Sequence, residues 1–267
     1  MDEENEVLVK SIVKRHTRDF ARNFKSRHLE EYTDPDGTIN MKIHNYFISE
    51  LGSDIQYYTS LARSLDSSLG NMLEAMAIDI AKLNYSVSKQ VSGQLFSQQT
   101  SYIADLLEKY KRHAQKPTVS DYLPLRSMTS GSGSYTRHET DYYLYEKETD
   151  EHHLIELKIG GDLDNKKARS EKEAILEQYC ILSNTLENSS YIDIKFATAY
   201  NRYGEDKEWK QERVKQYFAK DELLIGKEFW NFVSKSTRGN EWVLEAYRES
   251  SPVLKDSLEE IKKKYLG

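Results

Sequence analysis

Three charged residues in the middle of the chain have the types and the order of a cation-binding site. They are Asp141, Glu156 and Lys158, and turn-forming residues at Lys147–Asp150 separate the first from the other two. Alternating apolar and polar residues flank that turn, a pattern that predicts a β-hairpin. If the turn centres on residues 148 and 149, Asp141 lies directly opposite Glu156, with the Cβ atoms about 5 Å apart.

Two opposed carboxylates repel each other unless a cation or a proton lies between them. Alternation along the second strand turns Ile155 and Leu157 toward a core, whereas Glu156 and Lys158 face the other way. The pattern therefore predicts a site for a hard cation with an ammonium group beside it. The prediction depends on register, because a slip of one residue would turn Asp141 to the opposite face.

A Glu-x-Lys triplet carries little information by itself in such a charged chain. The spacing recurs at residues 205–207, 208–210 and 260–262, and residues 193–195 offer an Asp-x-Lys variant. The ordinary interpretation of each is a solvated surface pair. The triplet at 156–158 differs because it lies on an apolar strand, has an acidic residue across the hairpin and precedes two glycines that open the strand end for a ligand. The remaining alternative is an edge hairpin with its charges toward water.

Composition limits the class of protein. The chain has 267 residues, 38% of them hydrophobic and 31% charged, and a net charge of −6. No apolar run approaches a membrane span and the acidic N-terminus lacks a signal-peptide pattern, so we expect a cytoplasmic protein without membrane contact. The single Cys180 excludes disulfides within the chain and thiolate zinc sites. The negative charge argues against a generally basic nucleic-acid binder, although basic residues cluster at 10–27 and 166–169 and allow a local basic groove.

Periodicity along the chain predicts helices first and a mixed sheet later, which is an α/β fold with helices flanking the sheet. The expected elements are helices over 4–32, 38–51, 53–85 and 98–112, an unpacked Gly/Ser/Pro-rich connection over 116–137, the hairpin, a helix over 162–186 capped by Asp162 or Asp164, a strand over 190–200, and helices from 205 onward with the last near 251–265.

The acidic residue, the intervening strand and Glu156-Leu157-Lys158 resemble the PD-(D/E)XK nuclease superfamily. The first motif here is Thr140-Asp141, so the proline of the superfamily pattern is absent. The resemblance implies a restriction-endonuclease-like core of a helix, a three-stranded meander, a helix and a strand. The implied organisation is a helical region over 1–64, the nuclease core over 65–235 and a C-terminal helix over 236–267, packed as one compact domain.

Longer segments are similar to type II restriction endonucleases of the TdeIII kind. They are residues 68–74 (SLGNMLE), 160–173 (GGDLDNKKARSEKE) and 196–209 (FATAYNRYGEDKEW), with LLIGKEFWNF beyond. The likeness implies Mg²⁺-dependent hydrolysis of double-stranded DNA at a short palindrome of the GGNCC type, leaving 5′-phosphate ends. Because a palindrome has two-fold symmetry, a homodimer is the expected assembly. A cognate DNA methyltransferase is implied in the same system, but not as a physical partner.

The resemblance also implies roles for individual residues. Asp141, Glu156 and the backbone carbonyl of Leu157 would hold Mg²⁺ through oxygen atoms. Lys158 would position a water molecule and stabilise developing negative charge. Glu74, on the helix before the meander, is a further catalytic candidate, although spacing alone favours an ordinary exposed helix residue.

DNA-contacting candidates lie on both sides of this set. Residues at the start of the helix after the hairpin are placed where backbone N–H groups and the helix dipole favour phosphate. Lys and Asn side chains can also contact purine edges. The alternatives are a solvated helix face for that group and simple turn chemistry for residues 201–203. The candidates are Arg137, Asn165, Lys166, Lys167, Arg169, Asn201, Arg202 and Tyr203.

Two other functions remain open from the sequence. One is a PD-(D/E)XK nuclease with another task, such as DNA repair or junction cleavage. The other is a non-catalytic DNA-binding or helical interaction protein with a decayed site. The intact set of Asp141, Glu156 and Lys158 counts against decay.

Overall fold

The computed structural model describes residues 2–187 and 190–267. The chain divides into two compact units, one formed by Met1–Asp79 with Glu241–Gly267 and the other by Ile80–Asn240. The domain boundaries expected from the sequence stay a prediction. Among the described residues, no helix is both long enough and apolar enough to cross a membrane.

The first unit is helical. Its helices are α1 (Asp2–Glu30), α2 (Tyr46–Ser49), α3 (Ser53–Ala81) and α8 (Gly239–Leu266), and α3 and α8 continue into the second unit. A small core joins α1, α3 and α8 through Phe24, Tyr57 and Ile261, with Ile39 from the connection between α1 and α2. Charged pairs reinforce the contact of α1 with α8 along its length. They are Lys10–Glu245, Lys14–Glu249 and Lys25–Glu260, at 2.6, 2.5 and 3.0 Å.

The described part of the second unit contains a five-stranded mixed sheet with the order β1-β2-β3-β4-β5. The first three strands are antiparallel, and β3–β4 and β4–β5 are parallel. The mixed sheet flanked by helices confirms the predicted fold class. The strands are β1 (Ser86–Phe96), β2 (Gly133–Glu146), β3 (Glu151–Leu157), β4 (Tyr191–Thr198) and β5 (Leu223–Ile225).

Helices cover the sheet of this unit. Helix α5 begins at Asn165, three residues after its predicted start, and of the two predicted caps Asp164 is the one used: its side chain accepts a hydrogen bond of 2.8 Å from the backbone N–H of Lys167. Its apolar residues share one core with those of β3 and β4. The helices are α4 (Ser97–Lys111), α5 (Asn165–Thr185), α6 (Glu212–Lys215) and α7 (Lys227–Ser234).

The central strand β3 is buried from His152 to Leu157. A strand that pairs on both sides and is covered on both faces normally carries apolar residues. Strand β3 instead carries two histidines and Glu156 in this buried position. Each of these polar groups therefore needs a partner within the protein or a bound ion.

In the middle of the chain one element was missed and one prediction was wrong. Strand β1 was not predicted, because SVSKQVSGQLF is polar and its pairing is irregular between Ser88 and Gln90. The connection expected over 116–137 packs in part, since a 3-10 segment at Val119–Ser127 buries Tyr122 and Leu125 and β2 begins at Gly133.

The helix expected from residue 205 is also absent between 205 and 211, where the described chain forms turns and irregular backbone. Further along, Glu222 is fully buried and its carboxylate lies 2.6 Å from the ammonium of Lys172 on α5. This long-range ion pair holds residues 220–225 as a 3-10 turn followed by β5. A tertiary contact has overridden the helical propensity of a charged segment. The segment expected to be helical at 38–51 holds only a 3-10 segment and α2.

Candidate active site

The hairpin register brings the predicted carboxylates together. Strands β2 and β3 pair Tyr142 with Ile155 and Glu146 with Glu151, so the next position places Asp141 opposite Glu156. This is the register predicted from the sequence, and the pairing confirms it. Oδ2 of Asp141 accepts a hydrogen bond of 2.9 Å from the backbone N–H of Leu157. That bond fixes the Asp141 carboxylate against the end of β3.

Lys158 lies among carboxylates from a strand and a helix. Its ammonium pairs with Glu156 and lies 3.2 Å from Oε1 of Glu171 on α5. The backbone N–H of Lys158 donates to the carbonyl of Ala197, at 2.9 Å, and so continues the parallel pairing of β3 with β4. Because this bond fixes the backbone, the direction of the Lys158 side chain follows from the sheet itself.

Carboxylates outnumber ammonium groups among the described residues at this site. Burial raises the pKa of Glu156, the Asp141 carboxylate raises it further, and Lys158 only partly offsets both, so this pKa reaches about 8. Burial acts to lower the pKa of Lys158, but the carboxylates of Glu156 and Glu171 outweigh it and the pKa lies above its ordinary value. In the described residues, three carboxylates therefore compete for one ammonium. Their oxygen atoms are donors that suit a hard divalent cation.

Gly160 and Gly161 have a packing role rather than the predicted role of opening the strand end. A Cβ atom at Gly160 would lie 2.7 Å from Oη of Tyr200. Gly161 has a φ of +66°, and a Cβ atom there would lie 2.7 Å from Cγ2 of Thr198. Only glycine combines this backbone conformation with such a close approach to β4. The pair lets the chain turn tightly after Lys158.

The structure places the DNA-contacting candidates in different environments. Residues 165–167 are exposed at the first turn of α5, Arg169 is half-buried beyond them, and Arg137 is exposed on β2. Arg202 pairs with Asp162 at 2.6 Å. These positions remain candidates for contact with DNA.

Asn201 has a structural role in its turn. It is 8% exposed, its Nδ2 donates to the carbonyl of Lys207 at 2.7 Å, and its Oδ1 accepts from the N–H of Tyr203 at 3.0 Å. The turn thereby presents the half-exposed ring of Tyr203. Glu74 lies on α3 in the first unit, and its catalytic role stays a prediction.

Sequence reasoning missed Glu171. The signal was present in the helical spacing, because Ala168, Lys172 and Ile175 form the buried stripe of α5 and Glu171 borders it. What the spacing did not reveal is that this stripe lies against the end of β3, beside Lys158.

A mixed sheet flanked by helices, with opposed carboxylates and a lysine at the end of its central strand, is the arrangement expected of a nuclease of the restriction-endonuclease-like fold. The family model described as "Type II restriction endonuclease, HinfI" matches residues 5–251, which is nearly the whole chain. The chain belongs to this family. It is therefore a type II site-specific endonuclease, a hydrolase whose substrate is DNA, as predicted. The matched model carries the HinfI description, whereas the resemblance noted in the sequence was to the TdeIII kind. A comparison with curated proteins finds no match.

Proposed function

We propose that this endonuclease hydrolyses double-stranded DNA in a Mg²⁺-dependent reaction at a short interrupted palindrome. The observation that supports this is the opposition of Asp141 and Glu156, with Lys158 held between Glu156 and Glu171. The products would carry 5′-phosphate ends. A site of the GGNCC type, implied by the TdeIII resemblance, is the first sequence to test.

Asp141, Glu156 and the carbonyl oxygen of Leu157 would hold the Mg²⁺ ion. The excess of carboxylates over ammonium groups at the site supports this assignment, because the pKa of Glu156 is raised in the protein alone. When bound, Mg²⁺ lowers the pKa of a coordinated water molecule and neutralises charge on the phosphate. The bond from the N–H of Leu157 holds the Asp141 carboxylate in place for this task.

Lys158 acts as a cation rather than as a base. Its pKa lies above the ordinary value for lysine, so it stays protonated at neutral pH. A protonated amine cannot accept a proton from water, but it can donate hydrogen bonds to a water molecule or to a phosphate oxygen. Its contribution is therefore to position the nucleophile and to stabilise negative charge that develops on the phosphate.

Exposed residues near this end of the sheet would contact the DNA. Residues 165–167 lie at the N-terminus of α5, where backbone N–H groups and the helix dipole favour phosphate. Arg137, Arg202 and Tyr203 are further exposed candidates, and Arg169 and Asn201 are less exposed ones. A homodimer is proposed because a palindrome presents two equivalent strands. The cytoplasm is its proposed location. A cognate methyltransferase would protect the same sequence without binding this protein.

Digestion of plasmid DNA with the full chain in Mg²⁺ tests the proposal. Discrete bands are expected, and sequencing of the fragment ends gives the recognition site and the cut position. Smeared products or nicking that depends on DNA structure would indicate a repair-type nuclease instead. An absence of cutting would contradict the proposed reaction.

Substitutions test the residue assignments. Glu156→Gln and Lys158→Met should abolish cleavage while DNA binding in a gel-shift assay is kept. The matched controls are Glu208→Gln and Lys210→Met, which alter a triplet of the same spacing on an exposed segment. Cleavage that survives in either active-site variant would refute its role.

A further inference from the structure

A second group of ligating side chains lies at the turn end of β3. Glu146 and Glu151 are the last paired residues before the hairpin turn, and His153 follows two positions later on the same face. Ligand atoms of these three residues all lie within 4.8 Å of one another. Asp193 on β4 is the parallel partner of His153. We name these four residues the hairpin cluster.

The hairpin cluster is separate from the candidate active site. Glu156 and His153 are three residues apart on one strand, so their side chains point to opposite faces of the sheet. An ion bound at one group would therefore not be shared with the other.

His153 lacks a partner that its chemistry requires. Its side chain is 5% exposed, and within the described residues its Nδ1 has no hydrogen-bond partner. Nδ1 lies 3.5 Å from Oδ2 of Asp193, and Nε2 lies 3.6 Å from Oε2 of Glu151. A neutral imidazole has one N–H and one lone pair, whereas ionised carboxylates only accept. One nitrogen therefore presents its lone pair toward a carboxylate, a repulsive contact that a bound cation would relieve.

The arrangement matches a known way of holding a metal ion. Asp193 is placed to accept the Nδ1–H of His153, which would leave the Nε2 lone pair directed toward the glutamates. Edge contacts from Tyr85 and Phe232, at centroid distances of 6.1 and 5.1 Å, fix the plane of the ring. One imidazole and two carboxylates form a donor set that suits Zn²⁺. Mg²⁺ prefers oxygen atoms alone.

Two lysines supply the positive charge that the described residues provide at this cluster. The ammonium of Lys195 lies 3.1 Å from Oδ2 of Asp193, and Lys235 neutralises the glutamate side. Its ammonium pairs with Glu146 and lies 5.6 Å from the ring centroid of Tyr85. The side chain is 34% exposed, so the ammonium can move into water when another cation binds Glu146. Lys235 and a metal ion are thus competitors for the same carboxylate.

We propose that the hairpin cluster binds one divalent transition-metal ion of the zinc type through Glu146, Glu151 and Nε2 of His153. Asp193 is a positioning residue that orients the imidazole. The ion ties both ends of the hairpin turn to the central strand, and so stabilises the strand that carries Glu156. This site takes a nitrogen donor, in contrast to the all-oxygen site proposed for Mg²⁺.

Calorimetric titration of the full-length Glu156→Gln protein with Zn²⁺ tests the proposal. This background weakens the candidate active site, so one equivalent of zinc is expected from the hairpin cluster. Adding Glu151→Gln or His153→Gln should lower the affinity by more than about tenfold. Asp193→Asn should lower it ~10–100-fold, the usual effect of removing a residue that orients a metal-bound histidine.

Two further variants separate metal binding from general effects of charge. Lys235→Asn should raise the zinc affinity, since it removes the competing ammonium. Asparagine also tolerates the left-handed backbone at this position, where φ is +51°. Asp150→Asn is the matched control. It removes one charge from the neighbouring turn residue, also left-handed at φ +56°, and should leave the affinity unchanged.

The outcomes are decisive in each direction. Absence of zinc binding would overturn the proposal. Binding that is unchanged by Glu151→Gln and Lys235→Asn would place the ion elsewhere and would equally overturn it. If His153→Gln does not fold, Glu151→Gln still decides, because Glu151 is 40% exposed in its side chain. None of these results bears on cleavage of DNA, which is tested separately.

Discussion

Replacing Glu156 by glutamine should stabilise the metal-free protein at high pH. Burial and the Asp141 carboxylate raise the pKa of Glu156 from an ordinary 4.5 to about 8. Between these values the folded protein holds a proton that the unfolded chain releases, so stability falls as the pH rises through this window. A pKa separation of this size corresponds to about 5 kcal/mol at pH 9. Glutamine resembles the protonated carboxyl group and removes that penalty.

The assay is urea unfolding in EDTA, followed by circular dichroism at pH 5, 7 and 9. The gain of Glu156→Gln over the parent should be below about 1 kcal/mol at pH 5 and several-fold larger at pH 9. Lys158 keeps Glu171 as a partner in the variant, so its ammonium is not left alone. The control is Glu212→Gln, whose side chain is 79% exposed and which should show no pH-dependent gain.

Unfolding in the presence of Mg²⁺ is an independent test of the same prediction. A divalent cation at Glu156 offsets the repulsion from Asp141, so Mg²⁺ should stabilise the parent most at pH 9 and the variant little at any pH. A Glu156→Gln protein that is no more stable than the parent at pH 9, or a gain that is equal at all three pH values, would refute the reasoning.

Three further predictions concern packing and charge in the same unit. Lys172→Met should lower the free energy of unfolding, measured in urea, by ~3–5 kcal/mol because it leaves the Glu222 carboxylate buried without its ion-pair partner. Adding Glu222→Gln to this variant should restore part of the loss. Equal stability of the single and double variants would contradict this. Glu171→Leu should slow single-turnover cleavage by about tenfold or more because it removes one of the two carboxylates that hold the Lys158 ammonium. Glu171→Gln should be less affected. Rates equal to the parent in both variants would exclude a positioning role for Glu171. Gly161→Ala should lower the melting temperature more than Gly52→Ala does, since both glycines have positive φ but of the two only Gly161 has neighbours that a Cβ atom would meet. Equal losses in the two variants would contradict the packing role of Gly161.

The hairpin could be predicted from sequence because all of its information is local. A turn signal and two alternating segments set the register, and the register sets which side chains oppose each other. Pairing of Tyr142 with Ile155 follows directly from a turn centred on residues 148 and 149. The N-cap of α5 at Asp164 was predictable for the same reason.

Features that depend on distant contacts could not be predicted in this way. Strand β1 has a polar sequence, and it becomes a strand because it pairs with the long β2. Residues 220–225 have helical composition, yet the buried pair of Lys172 with Glu222 holds them otherwise. Local propensity is a weak determinant where one long-range contact fixes the backbone.

His153 shows why the hairpin cluster could not be predicted from the sequence. Alternation places His152 and His153 on opposite faces, which makes a shared metal ion impossible and gives neither a partner. The partners of His153 come from elsewhere: Asp193 is brought beside it by parallel pairing, and Glu146 by the hairpin. Parallel pairing joins strands that are far apart in sequence, so no spacing rule reveals it.

Strand β3 connects these observations through one physical requirement. Its side chains are buried on both faces, so every polar group on it must be satisfied or paired. His152 meets this in part through the hydroxyl of Tyr143, 2.8 Å from its Nδ1. Glu156 and His153 face carboxylates instead. The Glu156–Asp141 contact is repulsive without a cation, and so is the contact of a carboxylate with the lone-pair nitrogen of His153. Protein ammonium groups neutralise only part of that charge: Lys158 does so at one end, and Lys195 and Lys235 at the other. The remaining negative charge is what makes both ends of the strand candidates for metal binding.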